Sequence, residues 1–223
     1  MIFLKQLFIL FTFVPLCLFA KGYNENYDFS GGFKLAANQD FYQFEPTVGW
    51  RINKSFHINC GLRLQTILHA YPSIYSLDYS WKIENDDDDE KSTNFFVVPS
   101  LQYKLCIVEL KKEESTRYIN LFIEPGLLIQ PFVFDHFYLI HNSFNNRSKQ
   151  KVNNFEWAYL FFSTQFGLEY LFDDGSFFIG YERSNQDFYI KRRNVVVEGE
   201  SLNQFLPERK TSQSVFIGFR VYM

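Results

Sequence analysis

Apolar side chains recur at every second position in eight separate stretches of this chain, the period of an extended strand with one apolar face rather than of a helix. The stretches lie near residues 27–37, 44–52, 56–70, 93–108, 118–134, 155–172, 177–184 and 212–223. In the third, Phe56, Ile58, Cys60, Leu62 and Leu64 share a face, and in the fifth Ile119, Leu121, Ile123, Leu127 and Ile129 do so. Phe166, Leu168, Tyr170 and Phe172, then Phe177, Ile179 and Tyr181, repeat the pattern. The last stretch, SVFIGFRVYM, carries it to Met223 through Val215, Ile217, Phe219 and Val221.

The connections alternate in length. Asn53-Lys54-Ser55, Glu109 to Arg117 and Asp173 to Ser176 are short, whereas Tyr71 to Ser92, Asp135 to Asn154 and Asn185 to Lys210 each run 20 residues or more. Only Asn38 to Gln43 breaks the rhythm on the long side. Long structureless loops are uncommon in a compact soluble domain. The alternation predicts an all-β fold, an eight-stranded antiparallel transmembrane β-barrel with short periplasmic turns and long outer loops. An even strand count then leaves both termini periplasmic, in a bacterial outer membrane.

The competing fold is a soluble lipocalin-like ligand-binding barrel, whose apolar positions face a core and whose other face is solvated charge. The other face here holds His57, Asn59, Gly61, Arg63 and Gln65, then Gln102 and Lys104, then Asn120, Phe122, Glu124 and Gly126. That mixture suits a narrow polar lumen. The same phase points Lys34, Arg51, Arg63, Lys104 and Arg220 inward together with Glu45, Glu124, Glu169 and Glu182. Unpaired buried charge is costly, so these groups are expected to pair. An eight-stranded barrel is just wide enough for side chains to fill, which favours a plug over a gated ion path. Pro46, Pro99, Pro125 and Pro131 fall inside strands, where each removes a ladder donor; a bulge is one way to accommodate them.

The N-terminus places the chain. Residues 1–20 have one Lys at position 5, an apolar run from Leu7 to Phe19 and a small residue at Ala20, the layout of a secretory signal. Acylation at Cys17 is disfavoured by Leu16, Leu18 and Phe19 around it. Residues 21–223 then form one barrel domain with 21 basic and 25 acidic residues, a net charge of −4. This weak acidity gives no footprint for nucleic acid. Aromatic residues make up 20% of the chain, 28 of them Phe, matching the girdles that barrels place at both water interfaces. After residue 20 no apolar run approaches the roughly 18 to 20 residues of a transmembrane helix. Cys60 and Cys106 fall on opposite faces, which argues against a disulfide.

Asn94-Phe95-Phe96-Val97-Val98-Pro99-Ser100-Leu101-Gln102-Tyr103-Lys104 resembles the aromatic, apolar, Pro, apolar, Tyr-Lys strand of the small outer-membrane β-barrel proteins of Bacteroidota, the broad group that includes PorT-like proteins. FEPTVGW and FIEPGLLI are similar in form, and the signal and closing strand fit the same pattern. The resemblance implies an eight-stranded barrel without enzymatic activity and, for PorT-like members, a role in protein secretion across the outer membrane with secretion-apparatus partners. The chain departs from the pattern by ending in Met223, with Tyr222 turned inward.

Candidate chemistry adds little. Asp86-Asp87-Asp88-Asp89-Glu90 lacks the spacing of a calcium loop and reads as a solvated acidic tip. His141, Ser143 and Glu156 offer the residue types of a lipid A-modifying hydrolase, but in a polar loop where Ser and Asn are ordinary. Tyr189-Ile190-Lys191-Arg192-Arg193 is basic and either touches anionic glycolipid or balances nearby acids. Asn146-Arg147-Ser148 is a chance glycosylation triplet. No metal or cofactor motif appears. The expected role is structural, surface-binding or transport-accessory, with outer-membrane lipid and glycolipid as neighbours.

Overall fold

The structure is a computed structural model that describes residues 28–223 apart from 54, 69–71, 85–92, 113–114, 144–145, 173 and 210. The signal segment and the acidic run at 86–90 therefore lie outside the described residues. The strands are β1 (Phe29–Ala37), β2 (Phe41–Arg51), β3 (Phe56–Ile67), β4 (Ile74–Tyr75), β5 (Trp81–Glu84), β6 (Thr93–Lys112), β7 (Ser115–Ser143), β8 (Asn146–Phe172) and β9 (Gly175–Ser184). A one-turn helix α1 (Ile190–Arg193), β10 (Val196–Val197), β11 (Glu200–Ser201), a 3-10 turn (Leu202–Gln204) and β12 (Ser212–Tyr222) complete the order.

Eight strands, β1, β2, β3, β6, β7, β8, β9 and β12, pair antiparallel in a ring. Closure comes from β1 against β12, running from Ser30 opposite Tyr222 to Ala37 opposite Val215. A closed ring leaves no edge with unpaired backbone groups, the condition for a sheet in hydrocarbon. No helix among the described residues is long and apolar enough to cross a membrane, which is silent about a barrel.

The period-two phase sorts the wall. In β3 the even-numbered Phe56, Ile58 and Leu62 are exposed, while His57, Asn59, Arg63 and Gln65 between them are buried. In β12 Val215 and Ile217 are exposed and Ser214, Phe216 and Arg220 buried. Aromatic pairs mark both ends of the wall. Phe29 stacks on Trp50 at 6.3 Å and Phe56 lies 4.9 Å from Tyr103 at one end; Phe95 stacks on Phe132 at 6.5 Å at the other.

Three expectations are corrected. The segments read as structureless outer loops are folded: 71–92 contains β4 and β5, and 135–154 is the continuation of one hairpin whose register is unbroken from Tyr118 opposite Leu171 to Ser143 opposite Asn146. The turn expected over 109–117 is likewise ladder, with Glu109 opposite Tyr118 and Lys112 opposite Ser115. The in-strand prolines do not mark bulges, because the register runs straight past them; the one irregularity of the β6–β7 ladder lies between Cys106 and Val108. Pro99 and Pro125 instead thin this ladder, which between Val97 and Tyr103 pairs only Val97 with Ile129, Ser100 with Gly126 and Tyr103 with Ile123.

Candidate functional site: a plugged lumen beneath a folded cap

Of the nine charged residues expected in the lumen, Lys34, Glu45, Arg63, Lys104, Glu124, Glu169, Glu182 and Arg220 are buried, four cations against four anions. Arg51, the ninth, is half-buried at the end of β2, on the barrel rim. The eight form two groups. In one, Lys34 Nζ lies 2.9 Å from Glu45 and 3.8 Å from Glu182. Arg63 bridges the same two carboxylates, Nε at 2.6 Å from Glu45 and Nη2 at 2.8 Å from Glu182. Gln43 donates to Glu182 at 3.3 Å.

The second group lies toward the end where β12 terminates. Lys104 Nζ meets Glu169 at 2.7 Å, and the same carboxylate accepts from Ser176, Tyr222 and Asn120 at 2.9, 3.0 and 3.1 Å. Arg220 lies 3.9 Å from Glu169 and donates to Gln102 at 2.8 Å. Gln102 donates onward to Glu124 at 2.9 Å, and Asn59 and Ser100 also donate to Glu124. Amides and hydroxyls thus complete what the ions begin, so that little buried charge is left without a partner.

An aromatic layer joins the two groups. Ala36, Phe122, Phe178 and Phe216 pack together inside the barrel, with Lys34 over the Phe216 ring and Arg220 over Phe178, each 5.4 Å from the centroid. Glycine makes this possible: a Cβ on Gly218 would collide with the Phe178 ring, and one on Gly61 would reach within 2.8 Å of the Glu45 carboxylate. The bore is filled by salt bridge, ring and salt bridge in turn.

The mouth opposite the chain termini is closed by the segment 185–209. Gln186 exchanges amide hydrogen bonds with Gln65 at 2.6 and 3.2 Å, Phe188 packs on Phe41 at 5.6 Å, and Ile190 rests on the inward cluster Phe96, Val98, Leu128 and Phe161. Above this lid Ile74, Trp81, Ile83, Phe137, Leu139, Val197, Leu202 and Leu206 form a small separate core, with β5 paired to the last part of β7, Tyr138 to His141. Arg193 staples the lid's two legs: it ion-pairs with Asp187 and donates to Asn203 at 2.8 Å and to the Pro207 carbonyl at 2.6 Å. The basic run Lys191, Arg192 and Arg193, read as touching glycolipid or balancing nearby acids, is buried; Arg193 pairs with Asp187, and Arg192 stacks over Phe137 at 5.2 Å.

The lid and cap residues are the ones the sequence reading missed. Their signal was present in Ile74, Trp81, Ile83, Phe188, Leu202 and Leu206, since solvated loops seldom need so many apolar side chains. The candidate hydrolase residues His141 and Ser143 lie on β7 rather than in a loop, and the side chains of Ser143 and Glu156 lie outside the described residues. Cys60 and Cys106 are free and exposed. Among the described residues no group of three or more His, Cys, Asp or Glu side chains could hold a metal.

No family model and no curated protein matches the chain. Solved structures give remote likenesses. The N-terminal β-barrel domain of Pseudomonas aeruginosa OprF is 8% identical, with a TM-score of 0.39, over 91% of this chain and 100% of that one. Neisserial surface protein A is 9% identical with a TM-score of 0.40, over 87% and 94%. Ail, the attachment invasion locus protein of Yersinia pestis, solved in complex with the heparin analogue sucrose octasulfate, is 10% identical with a TM-score of 0.32, over 87% and 95%.

Proposed function

We propose that this chain is a bacterial outer-membrane β-barrel protein, both termini periplasmic, whose lumen is a non-conducting plug and whose folded cap serves a structural or surface-binding role outside the cell. One observation carries the reading: the wall is inside-out. Leu35, Ile58, Leu62, Leu168, Ile179, Val215 and Ile217 are 43–58% exposed, while eight acidic and basic side chains are buried behind them. In water this arrangement would expose a continuous apolar belt and gain nothing from its interior; in a bilayer both faces are matched. The aromatic pairs at the two ends of the belt suit the two headgroup regions.

The plug follows from the filling of the bore. An ion entering it would have to separate salt bridges and pass Phe122, Phe178 and Phe216, and the lid would have to lift first. On the same grounds this reading leaves no polypeptide path through the lumen, and any contribution to secretion would pass through the cap. The test is planar-bilayer conductance of the purified protein together with membrane fractionation. The expected result is a detergent-requiring, heat-modifiable band without discrete openings; stable openings of large unit conductance would overturn the plug, and recovery without detergent would overturn the barrel's membrane location.

A further inference from the structure

Where the lid meets the tight β1–β2 turn, the outer rim encloses a cleft of about 680 Å³, within the size range of small-molecule sites. Asn38, Gln39 and Asp40 form one wall, Asp187, Phe188 and Tyr189 a second, and Pro207, Glu208 and the start of β12 the rest. The walls are held by bonds that do not involve the cleft's contents. Asn38 accepts from the backbone N–H groups of Asp40 and Phe41 at 2.8 Å and donates to the Gln213 carbonyl at 2.7 Å. Phe188 is seated on Phe41, and Asp187 is fixed by Arg193 and by the Tyr189 N–H at 3.0 Å. A site built this way loses little freedom on binding.

The lining selects a ligand class. Asp40, Asp187 and Glu208 contribute carboxylates; the cations beside them, Arg193 and Arg209, both pair with Asp187, so that acidic groups stay in excess. Burial, and then the charges of Asp40 and Asp187 against that of Arg193, push the Tyr189 phenol above its usual range. An anionic ligand would meet repulsion here. A purely apolar one would take the Glu208 and Asp40 carboxylates out of water with nothing of its own to offer them. A sugar matches both halves: its hydroxyls donate to carboxylate oxygens, and the C–H faces of its ring suit Phe188 and Tyr189.

We propose that this cleft binds a sugar unit without negative charge, neutral or amino-bearing, presented from outside the cell; the last point rests on the outward orientation proposed above, the binding itself does not. The test uses the full chain in an amine-oxide detergent, which carries no sugar headgroup, titrated calorimetrically with tri-N-acetylchitotriose, its de-acetylated cationic form and a sulphated trisaccharide. The expected result is a Kd below about 1 mM for the first or second and at least about tenfold weaker binding of the sulphated sugar. Tyr189→Ala and Glu208→Gln are each expected to weaken binding at least about fivefold while the heat-modifiable gel shift, which reports the barrel separately, is retained. Glu208 is exposed, so its substitution tests the site without burdening the fold. No binding of either uncharged or cationic sugar at about 10 mM, preference for the sulphated sugar, or binding unchanged by Glu208→Gln would overturn the proposal.

Discussion

At the scale of single residues, the plug depends on which side chains are small and which are charged. Gly218→Ala places a methyl group into the Phe178 ring, and overpacking of this kind costs about 1–3 kcal/mol; the urea midpoint of the heat-modifiable transition is expected to fall accordingly. Glu45→Gln removes the anion shared by Lys34 and Arg63 and leaves two buried cations facing Glu182 alone, a change expected to cost about 3–5 kcal/mol in the same measurement. In the cap, the turn from Ser76 to Trp81 is tied by Asp78, whose carboxyl is held down to about 2, first by the Ser80 backbone N–H and then by the Ser80 and Ser76 hydroxyls. A depressed carboxyl stabilises above its unfolded value and loses that contribution as pH falls through the folded one. Amide exchange at Ser80 is therefore expected to lose protection between about pH 4 and pH 2, and an Asp78→Asn variant to show no such step. The strand phase was enough to put Lys34, Arg63 and Glu169 on the lumen side. Their partners were not legible, because Arg63 meets Glu182 across 119 positions of sequence, and which residues face each other across the bore depends on strand tilt and stagger that no local pattern encodes.

At the scale of elements, the eight barrel strands were readable because each buries nothing but a period-two stripe. Their outer extensions were not. β7 and β8 keep pairing well past the other strands, and there the side chains answer to the cap, so Phe137 and Leu139 pack with Trp81 and Leu202 rather than continuing a lipid-facing row. A period count that ends where the lipid stripe ends reads this region as loop. The cap core makes a separable prediction. Trp81→Ala, at a site 1% exposed, is expected to cost about 3–5 kcal/mol of cap stability and to open residues 74–84 and 195–206 to limited proteolysis, with the barrel's gel shift unchanged. The prolines were misread for a related reason: Pro99 and Pro125 are tolerated by leaving gaps in a single ladder, whereas a bulge would have shifted every later outward residue of the strand into the lumen.

At the scale of the whole molecule, the sheet closes on itself, its charge is gathered inside and balanced, and its apolar surface forms a belt between aromatic rims. Each feature alone is compatible with other folds; together they support the proposed apolar solvent around the wall and none through the bore. Single cysteines, introduced after Cys60→Ser and Cys106→Ser, report that solvent directly. A fluorophore at Leu62, Leu168 or Ile179 in reconstituted protein is expected to be quenched by a lipid-borne nitroxide and spared by aqueous iodide, and one at the lid residue Glu208 to show the reverse. Iodide quenching at all of the belt positions, with the lipid nitroxide silent, would contradict the inside-out membrane barrel.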